Sequence, residues 1–300
     1  MGVLPMLALT LAMLLWSSAF ISLKYLLDFF HPTQIVFIRM LIASGCFMLF
    51  GKKLLQFRYQ AGDWRWLLIM GIAEPCLYFL FETTALQYTT AGQAGVITAT
   101  LPLLASVAAF LVLKERIGKS QILGFIIAIL GCSALSLAGQ NDEQASNPLL
   151  GNTLEFMAML CGAVYSISIR KLSSRYSALV LTAFQAFVGI FFFGPLASLH
   201  ALPANISVLQ SGSLIYLGTV VTIGAYWLYN WAISKVEVSL ASAYINLIPV
   251  FTLLLAFWLL NERLNFWQCV ACGVVFAGVV ISQLPGKVAV AAREHASESL

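Results

Sequence analysis

Long apolar stretches alternate with short polar connections along the whole chain. A helix needs about 20 apolar residues to cross the hydrocarbon core of a bilayer. Ten stretches approach this length, and glycine and proline residues punctuate the gaps between them. They lie at 4–23, 33–51, 65–84, 92–113, 120–138, 152–170, 178–199, 212–232, 239–260 and 265–284. The pattern therefore predicts an all-α integral membrane protein with ten transmembrane helices.

The apolar pattern also repeats itself. Residues 101–121 return at 248–268 with a constant offset of 147, so that Pro102 pairs with Pro249. Because five helices per repeat is an odd number, the second repeat must start on the opposite side of the membrane. We therefore expect two inverted five-helix repeats, with a substrate site between them. The predicted units are the first repeat at 1–138, an extracytoplasmic linker at 139–151, the second repeat at 152–284 and a cytoplasmic tail at 285–300.

Composition and charge agree with lipid as the main solvent and orient the helices. Hydrophobic residues make up 61% of the chain and charged residues 9%, whereas soluble domains carry about 25% charged residues. The net charge of +4 is small and concentrated in loops, so it gives no indication of a nucleic-acid partner, and we expect none. If the N-terminus is inside, thirteen of the sixteen Lys and Arg residues fall on the cytoplasmic side. This distribution predicts cytoplasmic N- and C-termini in a bacterial-type inner membrane.

Several short motifs stand out along the chain: Trp16-Ser-Ser-Ala-Phe20 with Lys24, Arg39-Met-Leu-Ile-Ala43, Pro102 with Glu115-Arg116, and Pro249 with Glu262-Arg263. These motifs resemble those of the EamA-type transporters of the drug/metabolite transporter superfamily, and the resemblance covers essentially the whole chain. The resemblance implies a ten-helix inverted fold and secondary transport, usually export of amino acids, related metabolites or drugs. We assign the Glu-Arg pairs to helix-end structure, because inversion places them on opposite sides of the membrane. The second repeat departs from the pattern, since Cys161-Gly-Ala-Val-Tyr165 replaces the tryptophan motif.

Glu74 is the candidate for ion coupling. It lies near the middle of the third predicted helix and is followed directly by Pro75. An ionisable group at that depth is costly unless it faces protein or water, so it marks a transport pathway or a proton relay. Broken helices near the membrane centre are also where transporters place their sites. The alternative is a structural glutamate that is hydrogen-bonded to a neighbouring helix.

Arg39 and several polar or aromatic residues complete the predicted site. Arg39 could pair with Glu74 or with a substrate carboxylate; snorkelling to the headgroups and a structural tie between helices are the alternatives. The other candidates lie on predicted helices at positions where a polar or aromatic side chain could line a pocket. Helix packing or an interfacial belt are the competing interpretations. They are Trp16, Tyr78, Gln93, Tyr165, Tyr226, Asn230 and Asn246.

The sequence contains none of the motifs that usually indicate an enzyme. The three histidines have no metal-ligand spacing, and no nucleophile–base motif or ATP-binding domain is present, so we expect no metal, no cofactor and no enzyme. The prediction is a secondary transporter that exports a small organic metabolite by alternating access, with protons as the candidate coupling ion through Glu74. An uncoupled facilitator, an importer of the same solutes and an intramembrane enzyme are the alternatives. Both a monomer and a homodimer remain open.

Overall fold

The computed structural model describes residues 3–49, 51–54, 59–114, 117–139, 144–233, 235–236 and 244–283, and every regular element within them is helical. Apart from a four-residue turn at Gly51–Leu54, these residues form ten helices, which we number α1 to α10. The first five are α1 (Val3–Leu26), α2 (Pro32–Met48), α3 (Trp64–Gly71, Ile72–Leu77 and Tyr78–Tyr88), α4 (Ala91–Ile97, Thr98–Thr100 and Leu101–Leu113) and α5 (Lys119–Ala138). The second five are α6 (Pro148–Leu172), α7 (Ala178–Ala197), α8 (Val208–Tyr216, Leu217–Ala225 and Tyr226–Ile233), α9 (Leu247–Leu259) and α10 (Phe266–Gln283).

Eight of these helices are long and apolar enough to cross a membrane, which confirms the prediction of an all-helical membrane protein. The other two are shorter: α2 has 17 residues and α9 has 13. The start of the ninth predicted stretch, at 239–243, lies outside the described residues. The arrangement of ten spans in two inverted repeats therefore stays a prediction.

Two helices begin four residues earlier than their apolar stretches do, because polar caps start them. The side chain of Asn147 accepts a hydrogen bond from the N–H of Leu150 at the start of α6. Ser207 and Gln210 form a reciprocal capping box at the start of α8. Such caps satisfy N–H groups that a helix leaves without internal partners.

The same pattern of helix contacts is found when each helix is replaced by the helix at the equivalent place in the other sequence repeat. α2 packs on α7, α4 on α9 and α5 on α10, which are all equivalent pairs. α1 packs on α8 and α9, and correspondingly α6 packs on α3 and α4. The two halves are therefore joined by a pseudo-twofold set of contacts.

Glycines let the backbones of α5 and α10 touch. A Cβ placed on Gly278 would lie 2.6 Å from the amide nitrogen of Ala128 and 2.7 Å from the carbonyl oxygen of Gly124. Small residues at helix contacts are typical of membrane proteins, where close approach rather than the hydrophobic effect drives helix association.

α3 and α8 are interrupted at equivalent places. Each contains a π-helical segment, Ile72–Leu77 in α3 and Leu217–Ala225 in α8. Within the first segment Glu74 adopts an extended conformation (φ −144°, ψ 121°) directly before Pro75. A residue before proline is disfavoured in the helical region, which accounts for the break. The offset of 147 pairs Glu74 with Val221, so the repeat brings one acidic and one apolar residue to matching π-helical segments.

Candidate functional site

Glu74 is buried at the break in α3 and is held from two other helices. One carboxylate oxygen accepts a hydrogen bond from the hydroxyl of Tyr226 on α8 at 3.1 Å. The main-chain oxygen of Glu74 accepts one from the side-chain amide of Gln185 on α7, also at 3.1 Å. The hydroxyl of Tyr165 on α6 donates in turn to Gln185 at 3.4 Å. Predicted residues from both halves, Glu74, Tyr165 and Tyr226, thus belong to one hydrogen-bonded cluster.

Aromatic rings from α1 and α8 extend this cluster. The ring of Trp16 lies edge-on to Tyr226, with centroids 5.3 Å apart, and at the same distance from Tyr229. Trp16 and Tyr226 are only partly buried, so the aromatic faces are not sealed within a closed core. Asn230 lies in the next turn of α8, but its side chain falls outside the described residues. The arrangement offers flat apolar surface next to one carboxyl group, which suits an amphipathic organic solute.

Arg39 is buried between α2, α3 and α8 rather than directed to the headgroups. Its Nε donates to the hydroxyl of Thr222 at 2.9 Å, and its guanidinium lies 4.5 Å from the ring centroid of Phe79. Its bonded partner is therefore Thr222 and not Glu74. The positive charge of Arg39 nevertheless interacts electrostatically with the carboxyl groups of both Glu74 and Glu82. Arg39 can balance one carboxylate of this region without touching it.

A second acidic region lies further along α3. The hydroxyl of Tyr78 donates to Glu82 at 3.0 Å, so this predicted residue contacts Glu82 instead of Glu74. Glu155 on α6 is completely buried, and neither of its carboxyl oxygens has a hydrogen-bond partner among the described residues. Its charge would interact with that of Glu82. Glu74, Glu82 and Glu155 are thus three buried glutamates on α3 and on its contact with α6.

Glu155 is not among the residues predicted from the sequence. The helical spacing between Glu155 and the small residues around it could have identified it. Gly151, Glu155, Ala158 and Gly162 recur at helical spacing on α6, and all four are buried. A Cβ on Gly162 would lie 2.9 Å from Leu101 and 3.3 Å from Tyr78, which shows how closely α6 meets its neighbours here. An acidic residue within a run of small residues on one helix face indicates a carboxyl group in a tight helix contact.

The two predicted amide residues near the repeated prolines are Gln93 and Asn246, which lie at the starts of α4 and α9. Gln93 accepts a hydrogen bond from the side chain of Asn152 at 2.9 Å, and Thr89 donates to Asn152 at 2.6 Å. Gln93 therefore contributes to a tie between α4 and α6. Asn246 is the residue that precedes α9 and is partly buried.

The Glu-Arg motif of the second repeat serves a helix end. The carboxylate of Glu262 accepts hydrogen bonds from the N–H groups of Ala91 and Gly92, each at 2.8 Å, at the start of α4. Glu262 also lines a crevice of about 470 Å³ between α4, α9 and α10. Its counterpart, Glu115-Arg116, lies outside the described residues. Within the described chain, no group of three or more His, Cys, Asp or Glu side chains is placed to hold a metal ion.

Comparison with known proteins places these features in a family. The model of the EamA-like transporter family matches residues 3–137 and again residues 149–284. An uncharacterized transporter of Archaeoglobus fulgidus is 27% identical over 280 residues, which cover 92% of this chain and 96% of that protein. The uncharacterized inner membrane transporter YhbE of Escherichia coli is 26% identical over 313 residues, covering 98% and 95%.

Two further comparisons bear on function and on fold. A probable terminal-alkyne amino-acid exporter of Streptantibioticus cattleyicolor is 25% identical over 276 residues, covering 91% of each chain. One solved crystal structure matches with a TM-score of 0.63 and 18% identity, covering 93% of this chain and 96% of the other. At that identity the structural likeness shows the fold alone. The family model, in contrast, matches most of the chain in two successive copies. This multi-pass membrane protein belongs to the EamA-like transporter family, within the drug/metabolite transporter superfamily.

Proposed function

We propose that this protein is a secondary transporter that exports a small organic metabolite, an amino acid or a related amphipathic solute, by alternating access. Membership of the EamA-like family supports transport, and the name of the Streptantibioticus relative supports an amino-acid solute and export. The aromatic rings beside Glu74 would contact the apolar part of such a solute.

In this proposal ten helices cross the membrane as two inverted repeats, with both termini in the cytoplasm and residues 1–138 and 152–284 as the repeats. The exchange symmetry of the helix packing supports two equivalent halves. The bias of Lys and Arg towards one side supports the orientation. α2, with 17 residues, would span about 26 Å at 1.5 Å per residue, close to the thickness of a bilayer core.

The observation that carries the mechanism is the pair of matching π-helical segments in α3 and α8, with Glu74 in one of them and Tyr226 directly after the other. Such irregular segments would give each half a place to bend, so that the halves can rock around a central site. We assign proton coupling to Glu74. A proton and the solute would then compete for this carboxyl group or bind it in turn, which links their movements.

Flux into proteoliposomes tests both parts of the proposal. A panel of radiolabelled amino acids would be offered to wild-type protein with and without a pH gradient. We expect at least one amino acid to be transported faster with the gradient. Glu74→Gln should transport it at a rate that no longer depends on the gradient.

The control is Asp63→Asn, because Asp63 forms its ion pair with Arg175 away from the cluster. This variant should keep the gradient dependence of wild type. Gradient dependence that survives in Glu74→Gln would refute coupling through Glu74. Transport that ignores the gradient in wild type would favour an uncoupled facilitator, and no transport of any panel member would count against an amino-acid solute.

A further inference from the structure

Glu155 occupies the contact between α6 and α3, and the mechanism proposed above leaves it without a role. Its exposed fraction is 0%, and both carboxyl oxygens lack a hydrogen-bond partner among the described residues. By comparison, Glu74 accepts a hydrogen bond from Tyr226, and Glu82 accepts one from Tyr78. Glu155 is thus the buried glutamate whose carboxyl oxygens no described donor reaches.

The physical cost of an unpaired charge indicates which form of this carboxyl group is present. An ionised carboxylate in an apolar interior, without donors or an opposite charge, is so unfavourable that the group takes up a proton instead. The protonated form is neutral, and it can remain in a tight helix contact at the lower cost of an unsatisfied hydroxyl group. The neutral form of Glu155 is therefore favoured in the conformation described here.

The groups that face Glu155 from the helices packed on α6 strengthen this assignment. From α3 these are Glu82, which is a like charge, and Tyr78, whose proton is already donated to Glu82. α4 has no ionisable side chain between residues 91 and 112. α5 contributes the thiol of Cys132, which lies in the same buried cluster as Ala158 of α6. Arg39 faces Glu82 from α2, and its positive charge acts on the carboxyl group of Glu82.

The repeat shows that this acidic contact has a neutral counterpart. With the offset of 147, Glu82 corresponds to Tyr229 and Glu155 to Ala8. Ala8 and Tyr229 pack together where α1 meets α8, which is the equivalent contact in the other half. One of two matching helix contacts thus contains two carboxyl groups, and the other contains none. Opening the first contact to water would expose an acid, whereas opening the second would not.

We propose that Glu155 is a second proton-binding site, separate from Glu74, which holds its proton in the conformation described here and releases it to water when the contact between α3 and α6 opens. The inference rests on the proposed alternating-access mechanism, because it needs this contact to open during the transport cycle. The released proton leaves a carboxylate that water can solvate. Reclosing the contact requires a proton to return. Each cycle then includes the release and return of one proton at Glu155, in addition to any proton carried by Glu74.

Infrared spectroscopy of the purified full-length protein tests the inference without any transport measurement. Protonated carboxyl groups give a C=O stretching band that carboxylates lack. We expect this band to fall by one group per protein in both Glu155→Gln and Glu155→Met. The second variant replaces the carboxyl group with an apolar side chain of similar length, which guards against misfolding caused by a buried amide. Asp63→Asn should leave the band unchanged, because Asp63 is ion-paired with Arg175.

Exchange into D₂O then separates a working proton site from a permanently closed one. The Glu155 band should shift to its deuterated position within minutes, while the amides in the centre of the same helix remain protected. An unchanged band in both Glu155 variants would overturn the inference, because Glu155 would then be ionised. A band that stays protonated for hours would also overturn it, since the contact would not open. If the band exchanges but no panel solute is transported, the proposed substrate class fails and the second proton site stands.

Discussion

Gly278→Ala should destabilise the protein through one contact whose geometry is known, and Gly273→Ala provides the control on the same helix. A Cβ on Gly278 would lie 2.6 Å from the amide nitrogen of Ala128 and 2.7 Å from the carbonyl oxygen of Gly124. These are backbone atoms that cannot rotate away, so α5 and α10 must separate. A Cβ on Gly273 meets nothing within 4 Å. Both variants gain the same helix propensity of about 0.5–1 kcal/mol, so their difference isolates the contact.

Overpacking of this kind costs about 1–3 kcal/mol. We therefore expect Gly278→Ala to be less stable than Gly273→Ala by about 1–3 kcal/mol, which changes the unfolding equilibrium about 5- to 150-fold. Titration with a denaturing detergent in mixed micelles, followed by tryptophan fluorescence, measures this difference directly. Gly273→Ala should unfold at the same detergent concentration as wild type or at a higher one. Equal stability of the two variants would show that α5 and α10 do not meet through their glycines.

Three further predictions concern the connection between α1 and α2, the Glu74 cluster and the start of α4. Burial and the neighbouring imidazole of His200 lower the pKa of His31. As the pH falls, His31 is therefore protonated in the unfolded chain before it is protonated in the folded protein. The free energy of unfolding should consequently decrease as the pH drops below about 6.5. Thermal melts between pH 5 and pH 7 should show that decline in wild type and a weaker one in His31→Asn. Tyr226→Phe removes the hydrogen bond to Glu74 and should lower proton-driven flux about tenfold, which corresponds to a loss of about 1.5 kcal/mol. Unchanged flux in this variant would show that Tyr226 has no part in proton coupling. Glu262→Gln leaves one N–H at the start of α4 without its acceptor and should cost about 1–3 kcal/mol in the same detergent titration.

The sequence predicts the helices well because membrane solvation imposes a simple requirement, namely about 20 apolar residues for each crossing. It predicts their ends less well, because a helix end depends on caps. Asn147 and Ser207 are polar and so fall outside any apolar stretch, yet each starts a helix four residues before its apolar stretch begins. Hydrophobicity measures burial in lipid, and it does not register hydrogen bonds to backbone N–H groups.

The candidate site was predictable one residue at a time but not as an arrangement. Glu74 is conspicuous because an acid in the middle of an apolar stretch is costly. Its bond to Tyr226 links residues 152 positions apart and depends on how α3 and α8 pack. Gln185 gave no signal, since a single amide in a membrane helix usually serves packing. Glu155 lies near the start of its predicted stretch, where an acid is readily attributed to the membrane surface.

The repeat explains why the acids matter more than the motifs that define it. Two halves with the same backbone design give two conformations of similar energy, so a small bias is enough to select one. Glu74, Glu82 and Glu155 correspond to Val221, Tyr229 and Ala8, so in the proposed mechanism the bias would come from positions where the halves differ. Each bound proton changes the balance by about 1.4 kcal/mol per unit of pH difference. Two protons across two pH units supply about 5.5 kcal/mol, which is enough to move a population from 1:99 to 99:1. A single proton would need about twice that gradient, so a second site such as Glu155 would halve the required gradient only if it took up its proton from one side of the membrane and released it on the other.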